Sequence, residues 1–167
     1  MNSNRSNPPL LDDANAAFIQ HHVTINVAAR DARNLPAVTR AFGCRVSADR
    51  RLVTVFLSTT WANMVLNDLR DNGAIAVVIG RPTTHETLQL KGKVERIAPL
   101  SASDRDAMTA CRASFVEELN TAGYSRSFAG TVAGEQAGDC LAVTFEPSSV
   151  FVQTPGPQAG RRLESRP

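Results

Sequence analysis

Two hydrophobic periods share this chain. Leu11, Ala14, Phe18 and Ile19 recur at helical spacing and predict a short helix over 12–20. Directly afterwards Val23, Ile25 and Val27 alternate with Thr24, Asn26 and Ala28, the pattern of a strand with one wet side. A turn at 30–34 precedes a second extended run, 36–46. Ser47-Ala48-Asp49-Arg50-Arg51 then closes a hairpin onto a third run, 52–57, rich in β-branched and aromatic residues. From Trp61 the helical spacing returns through Val65, Leu66 and Leu69, and Asn72-Gly73 supplies a C-cap. Residues 74–79 are apolar on both sides and predict a central strand, closed by Gly80-Arg81-Pro82. The next strand carries Leu88, Leu90 and Val94 on one side and Thr87, Gln89, Lys91, Lys93 and Glu95 on the other. Ser101 is set to cap a helix whose stripe is Met108, Cys111, Phe115, Leu119 and Ala122, with Gly123 past its end. After a connection containing Gly and Ser, Leu141, Val143 and Phe145 alternate up to Pro147, and 150–152 forms a last short extended piece.

This order of helix, three strands, helix, two strands, helix, two strands lacks regular strand and helix alternation. It predicts antiparallel pairing in a small barrel with helices packed outside. Residues 1–9 read as a disordered leader and 154–167, with Thr-Pro-Gly-Pro, as a flexible tail, leaving one folded domain over 10–153. A 43% hydrophobic share excludes wholesale disorder. Cys44, Cys111 and Cys140 are odd in number and far apart, so they predict buried thiols in a reducing compartment, the cytoplasm. The longest apolar stretch, 74–80, is far short of the ~20 residues of a membrane helix, so no membrane partner is expected.

A net charge of +2 is too small to draw in a long polyanion, and no aromatic platforms interleave with basic residues, so nucleic acid is not an expected partner. The charge is uneven, however: residues 1–100 carry twelve basic against eight acidic groups and 101–150 three against seven, so small anions favour the first hundred. His21, His22 and His85 form no metal-ligand spacing, and no metal is expected. At the junction of residues 57–61 a strand enters a helix through Ser58, Thr59 and Thr60. Two readings stay open there: Thr59 or Thr60 caps the helix, or the free amides and hydroxyls seat a phosphate. Arg40 and Arg45, five apart on an extended run, face opposite ways unless a bulge intervenes, and Gly43 is a natural place for one. Thr87, Gln89 and Lys91 on one strand face suit either solvent or the polar edge of a bound ring.

Several strings, taken in order, resemble the pyridoxamine 5′-phosphate oxidase-like, FMN-binding split-barrel proteins over about 12–153. They are Arg40-Ala41-Phe42-Gly43-Cys44-Arg45, Val55-Phe56-Leu57-Ser58-Thr59, the helix ending in Asp71-Asn72-Gly73, and Leu88-Gln89-Leu90-Lys91-Gly92-Lys93-Val94-Glu95. The resemblance implies a mostly β fold, a six-stranded antiparallel split barrel with α-helices. It also implies a homodimer with FMN in clefts between subunits and a small-molecule redox substrate. Carried onto this chain, Arg40 and Arg45 would contact the flavin or its phosphate, and Leu57, Ser58, Thr59 and Thr60 the phosphate or ribityl chain. The family's Arg-Lys pair falls near Asn63 and Met64. Its glutamine falls on Thr87, with Gln89 able to substitute, and Arg40 or Lys91 would serve the pyrimidine edge. The alternative is a non-catalytic split-barrel module binding haem, a deazaflavin or nothing.

Overall fold

A computed structural model describes residues 8–134 and 139–164. In chain order the elements are α1 (Asp13–Phe18), β1 (Thr24–Arg30), β2 (Pro36–Arg40), β3 (Cys44–Val46), β4 (Val53–Ser58), α2 (Asn63–Asn72), β5 (Ala74–Gly80), β6 (Thr87–Pro99), α3 (Ala102–Thr121), α4 (Arg126–Ala133), β7 (Cys140–Val152) and β8 (Arg162–Leu163). Local chemistry explains the helix ends. The Asp12 carboxylate caps α1 by accepting the Asn15 N–H at 2.8 Å. Ser101 and Asp104 form a reciprocal capping box on α3, and Gly73 closes α2 at φ 68°, a conformation open to glycine at little cost.

The strands lie antiparallel in the order β2-β1-β5-β6-β7-β4-β3, with β8 added to β7. The two ends of that order, β2 and β3, are the halves of the single extended run 36–46. Its broken middle bonds in both directions: the Ala41 N–H donates to Ile25 O at 2.9 Å on β1, the Phe42 N–H to Phe56 O at 2.9 Å, and the Phe56 N–H to Gly43 O at 3.1 Å on β4. The sheet therefore closes on itself. With β2 and β3 counted as one broken strand, six strands make the barrel, which is the split-barrel architecture expected. Gly43 permits the break: its φ is 149°, and a Cβ there would stand 2.8 Å from Cys111 Cβ on α3.

Inward-facing residues of these strands fill the barrel. Ile25 and Val27, Ile75, Val77 and Ile79, Leu88 and Leu90, and Val53, Val55 and Leu57 all join one cluster with Val65, Leu66 and Leu69 of α2 and Leu11, Phe18 and Ile19 around α1. A second layer lies outside, where Met108 of α3 packs on Phe56 and Ala142.

Four expectations change. Pro147 does not end a strand: β7 runs through it, because the β6–β7 register shifts beside Gly92 and the bulge leaves room for a residue with no amide proton. The connection after α3 holds α4, whose buried residues are only Ala129 and Ala133, too small a stripe to stand out. Trp61 lies in the turn ahead of α2 and is 61% exposed, off the apolar stripe where its spacing put it. Residues 154–164, expected as loose tail, turn back so that Val150 pairs with Leu163. The expected leader lies mostly outside the described residues.

Gly92 is the tightest point of the long β6–β7 pair, since a Cβ there would meet Glu146 O at 2.2 Å. Backbone cannot swing aside like a side-chain tip. Gly92→Ala is expected to destabilise the fold by about 1–3 kcal/mol, read as a lower thermal unfolding midpoint; an unchanged midpoint contradicts this packing.

Candidate functional site on the uncovered half of the barrel

The outer surface of the barrel has two unlike halves. Over β3, β4 and the first part of β7 it is roofed by α3, and β4 is buried on both faces. Over β1, β5 and the first part of β6 neither α3 nor α4 lies on it among the described residues. The helix α2 packs against β1, β2 and β5 through its core-facing Val65, Leu66 and Leu69, and α3 and α4 reach β2 at Arg40. Register places Arg40, Asn26, Val78, Gln89 and Phe151 in one row across β2, β1, β5, β6 and β7. Val38, Ala28, Ala76, Lys91 and Ser149 form the row beside it. The uncovered face of β5 presents Ala74, Ala76 and Val78, all half-buried, so the middle of this face is small and apolar with polar groups around it. On β1, Asn26 was legible only as a wet position; nothing in its spacing marked it as the residue between Arg40 and Val78.

The ten candidate residues fall into three places. Arg40, Thr87, Gln89 and Lys91 share the uncovered face. Two of them already have partners there: the Gln89 amide oxygen accepts from Gln153 at 3.2 Å, and the Thr87 hydroxyl donates to His85 O at 2.9 Å. Lys91 lies 5.4 Å from the centre of the Phe151 ring. Arg40 stands at the seam with the helices, its guanidinium 4.8 Å over the Phe115 ring and donating to Val132 O at 2.6 Å. Desolvation lowers its pKa, but a guanidinium stays charged. Arg112 of α3, which no sequence signal singled out, donates to Gly134 O at 2.9 Å. Two arginines thus hold the carboxyl end of α4, where the helix dipole favours cations.

Arg45 stands elsewhere. Its Nε meets the Asp104 carboxylate at 2.5 Å, near the start of α3. Asp104 and Phe115 are eleven residues apart on that helix, about 16 Å at 1.5 Å per residue. The break at Gly43 does turn both arginines toward α3, yet at opposite stretches of it, so they do not converge on one group.

The third place is the junction of β4 and α2. Leu57 is fully buried in the barrel core. Ser58 is 2% exposed, and its hydroxyl accepts the Thr60 and Trp61 N–H groups at 3.2 and 3.3 Å. Thr59 donates its amide and hydroxyl to Asp139 O at 2.9 and 3.0 Å. Neither Thr59 nor Thr60 caps α2 as expected; Ser58 instead holds the turn ahead of it. Thr60 and Asn63 remain exposed at the amino end of α2, whose N-cap, Ala62, offers no side chain to the first amides. Phe42 joins this junction to the sheet face: it follows Arg40 by two residues, and its ring centre is 5.8 Å from that of Trp61.

The cavity at Arg40, Arg112 and Phe115 holds about 20 Å³, room for one water. A groove of about 660 Å³ opens beside Thr59, with Arg105, Met108 and Cys140 in its walls. Cys44 and Cys111 are buried, their thiols donating to Ile19 O and Gln20 O at 3.0 Å, and burial pushes both thiols above the usual range. Among the described residues no three His, Cys, Asp or Glu side chains are grouped to hold a metal. Among them also, no helix is long and apolar enough to cross a membrane.

With this geometry in place, the chain has the split-barrel fold of the pyridoxamine 5′-phosphate oxidase-like proteins. It is similar in fold to an F420 reductase, at 14% identity and a TM-score of 0.51 over 84% of this chain and 98% of that one. It is similar to HupZ of Group A Streptococcus, at 13% identity and a TM-score of 0.54 over 90% and 99%. A candidate pyridoxamine 5′-phosphate oxidase from Lactobacillus delbrueckii matches at 11% identity and a TM-score of 0.53 over 89% and 97%. No family model matches the sequence, and no curated protein does.

Asp104 is a buried carboxylate whose charge bears on stability. Burial pushes its carboxyl up, but the Arg45 guanidinium and the Ser101 hydroxyl and amide outweigh this and hold it below the ordinary value. A depressed folded-state pKa stabilises the fold fully above the unfolded value of about 3.9, and the contribution is lost as pH falls through the lower native value. Asp104→Ala is expected to cost about 3 kcal/mol at neutral pH, and to flatten the loss of stability below about pH 4. Acid titrations of both proteins, followed by circular dichroism, check this; parallel curves contradict it.

Proposed function

We propose that this chain is an FMN-binding, oxidoreductase-like protein that holds flavin between two copies of itself. The observation that carries the reading is the uncovered half of the barrel. It is a small, apolar sheet face with Arg40, Asn26, Gln89 and Lys91 on it, joined through Phe42 to an uncapped helix amino end. The groups suit the cofactor. A flat ring needs an apolar floor with donors at one edge, and Val78 and Ala76 with Gln89, Arg40 and Lys91 supply that combination. A phosphate needs amide and hydroxyl donors, which Thr60, Asn63 and the first turn of α2 supply. Asn63 and Met64 bring no cation to that turn, so phosphate is held by dipoles and hydroxyls, and affinity rests more heavily on the ring.

The dimer follows from the same face. One chain offers a floor without a roof, and a second copy supplies the other wall. Bound FMN would supply hydride or electron transfer. The protein's part is to orient the ring, to place a cation at Arg40 or Lys91 where reduced flavin gathers negative charge, and to leave one ring face open to a small-molecule redox substrate. The same reading puts the chain in the cytoplasm, supported by three unpaired cysteines.

A second reading, a split-barrel module without catalysis, draws support from one observation: Arg40 is already engaged by Val132 O and Phe115. Equilibrium dialysis against FMN separates the two. Under the flavin reading Arg40→Ala weakens FMN binding by about tenfold, the worth of one charge-assisted hydrogen bond. Wild-type protein that retains no FMN, or an Arg40→Ala variant that changes only the unfolding midpoint, supports the module instead.

A further inference from the structure

Three arginines from separate stretches of the chain meet in one groove. It lies among the segment ahead of α1, the turn between β3 and β4, β7 and β8, and holds about 310 Å³. Arg50 and Arg51 enter from the turn and Arg162 from β8, while Pro8, Pro9 and Leu10 supply apolar wall. None of the ten candidate residues considered above lines it.

Two of the guanidiniums are tethered to one stretch of β7. Arg51 Nη1 stands 3.9 Å from a Glu146 carboxylate oxygen, and Arg162 donates to Ser148 O at 3.1 Å. Those anchors are two residues apart, about 7 Å along a strand. Arg50 Nη1 meets Asp13 Oδ1 at 2.9 Å. Both acids belong to the rim: Asp13 is 94% exposed and Glu146 53%, so water screens these pairs, whereas Arg50 and Arg51 are only 33% and 30% exposed. Among the described residues the groove is lined by three guanidiniums and one carboxylate. Guanidiniums keep their charge, and the mutual repulsion of three in one groove is relieved by a bound anion.

The two kinds of wall define the occupant. A planar guanidinium fork matches the oxygens of a phosphoryl group, and several forks suit its two negative charges. Pro8 and Pro9 have no amide proton to offer, so the wall they form with Leu10 takes carbon rather than oxygen. The volume is at the lower end of the range for small-molecule sites. We propose that this groove is a second binding site, for a small phosphate monoester. Arg50, Arg51 and Arg162 hold the phosphoryl dianion, and Pro8, Pro9 and Leu10 meet its carbon part. The site stands apart from the flavin face and does not depend on it.

Phenyl phosphate, inorganic phosphate and phenol are each titrated into the full chain by calorimetry, with the unfolding midpoint followed in parallel. Phenyl phosphate is expected to bind and raise the midpoint, inorganic phosphate to bind more weakly, and phenol not to bind. Arg51→Ala and Arg162→Ala are each expected to weaken phenyl phosphate by about tenfold, the worth of one charge-assisted hydrogen bond. Arg162→Lys, which keeps the charge and loses the fork, is expected to fall between wild type and Arg162→Ala. Phenyl phosphate binding that is unchanged in both alanine variants overturns the proposal, as does a wild type that binds none at millimolar concentration. Phenol or inorganic phosphate binding as tightly as phenyl phosphate overturns the ester as ligand, since one wall would then contribute nothing. If Arg162→Ala loses FMN and phenyl phosphate together, the groove belongs to the flavin site and the claim of a second site is overturned.

Discussion

The fold depends on one broken strand. The run 36–46 bonds to β1 through Ala41 and to β4 through Phe42 and Gly43, and without those bonds the sheet would end in two open edges. Everything at the candidate site hangs from that closure. Arg40 precedes the break, Phe42 is inside it, and Arg45 follows it; the positive φ of Gly43 lets α3 sit close enough for its thiol-bearing turn to pack there. A flat continuous strand would send Arg40 and Arg45 to opposite faces. The break instead turns both toward α3 at widely separated points, which divides their roles between a seam and a structural ion pair.

The second organising constraint is that α3 and α4 roof only half of the barrel. Under the roof, polar groups are matched closely: Thr54 with Thr144 at 2.9 Å, Arg45 with Asp104, and Ser58 with the turn that leads into α2. Outside the roof, β5 shows alanines and a valine to the open side. A central strand apolar on both faces is usual where both faces are covered. Here one face of β5 carries small apolar residues on the open side of the single chain, which is the ground for proposing a second copy and a flat ligand there.

Much of the fold was legible because its signals are local. The α3 capping box, the Gly73 C-cap, the alternation in β1 and the two-sided apolar run of β5 each state their structure within a few residues. What was not legible depends on partners distant in sequence. Pro147 sits inside a strand because the ladder with β6 shifts register beside Gly92. Two alanines make α4 a helix with a buried face only because Phe115 and Leu119 wait for them. Trp61 has the spacing of a core residue, yet the helix begins two residues later and leaves it outside. At the site, the residue types of the junction were readable, but which hydroxyl is used by the backbone was not. Ser58 and Thr59 are taken, while Thr60 and Asn63 are exposed.

The account stands or falls on whether two chains share flavin across the uncovered sheet face. Sedimentation of the FMN-loaded protein, monitored at once in the protein and flavin absorption bands, tests it most directly. The account expects both signals to move together at the mass of a dimer, with one flavin per chain. A colourless boundary at the mass of a single chain, with all FMN left unsedimented, would contradict it.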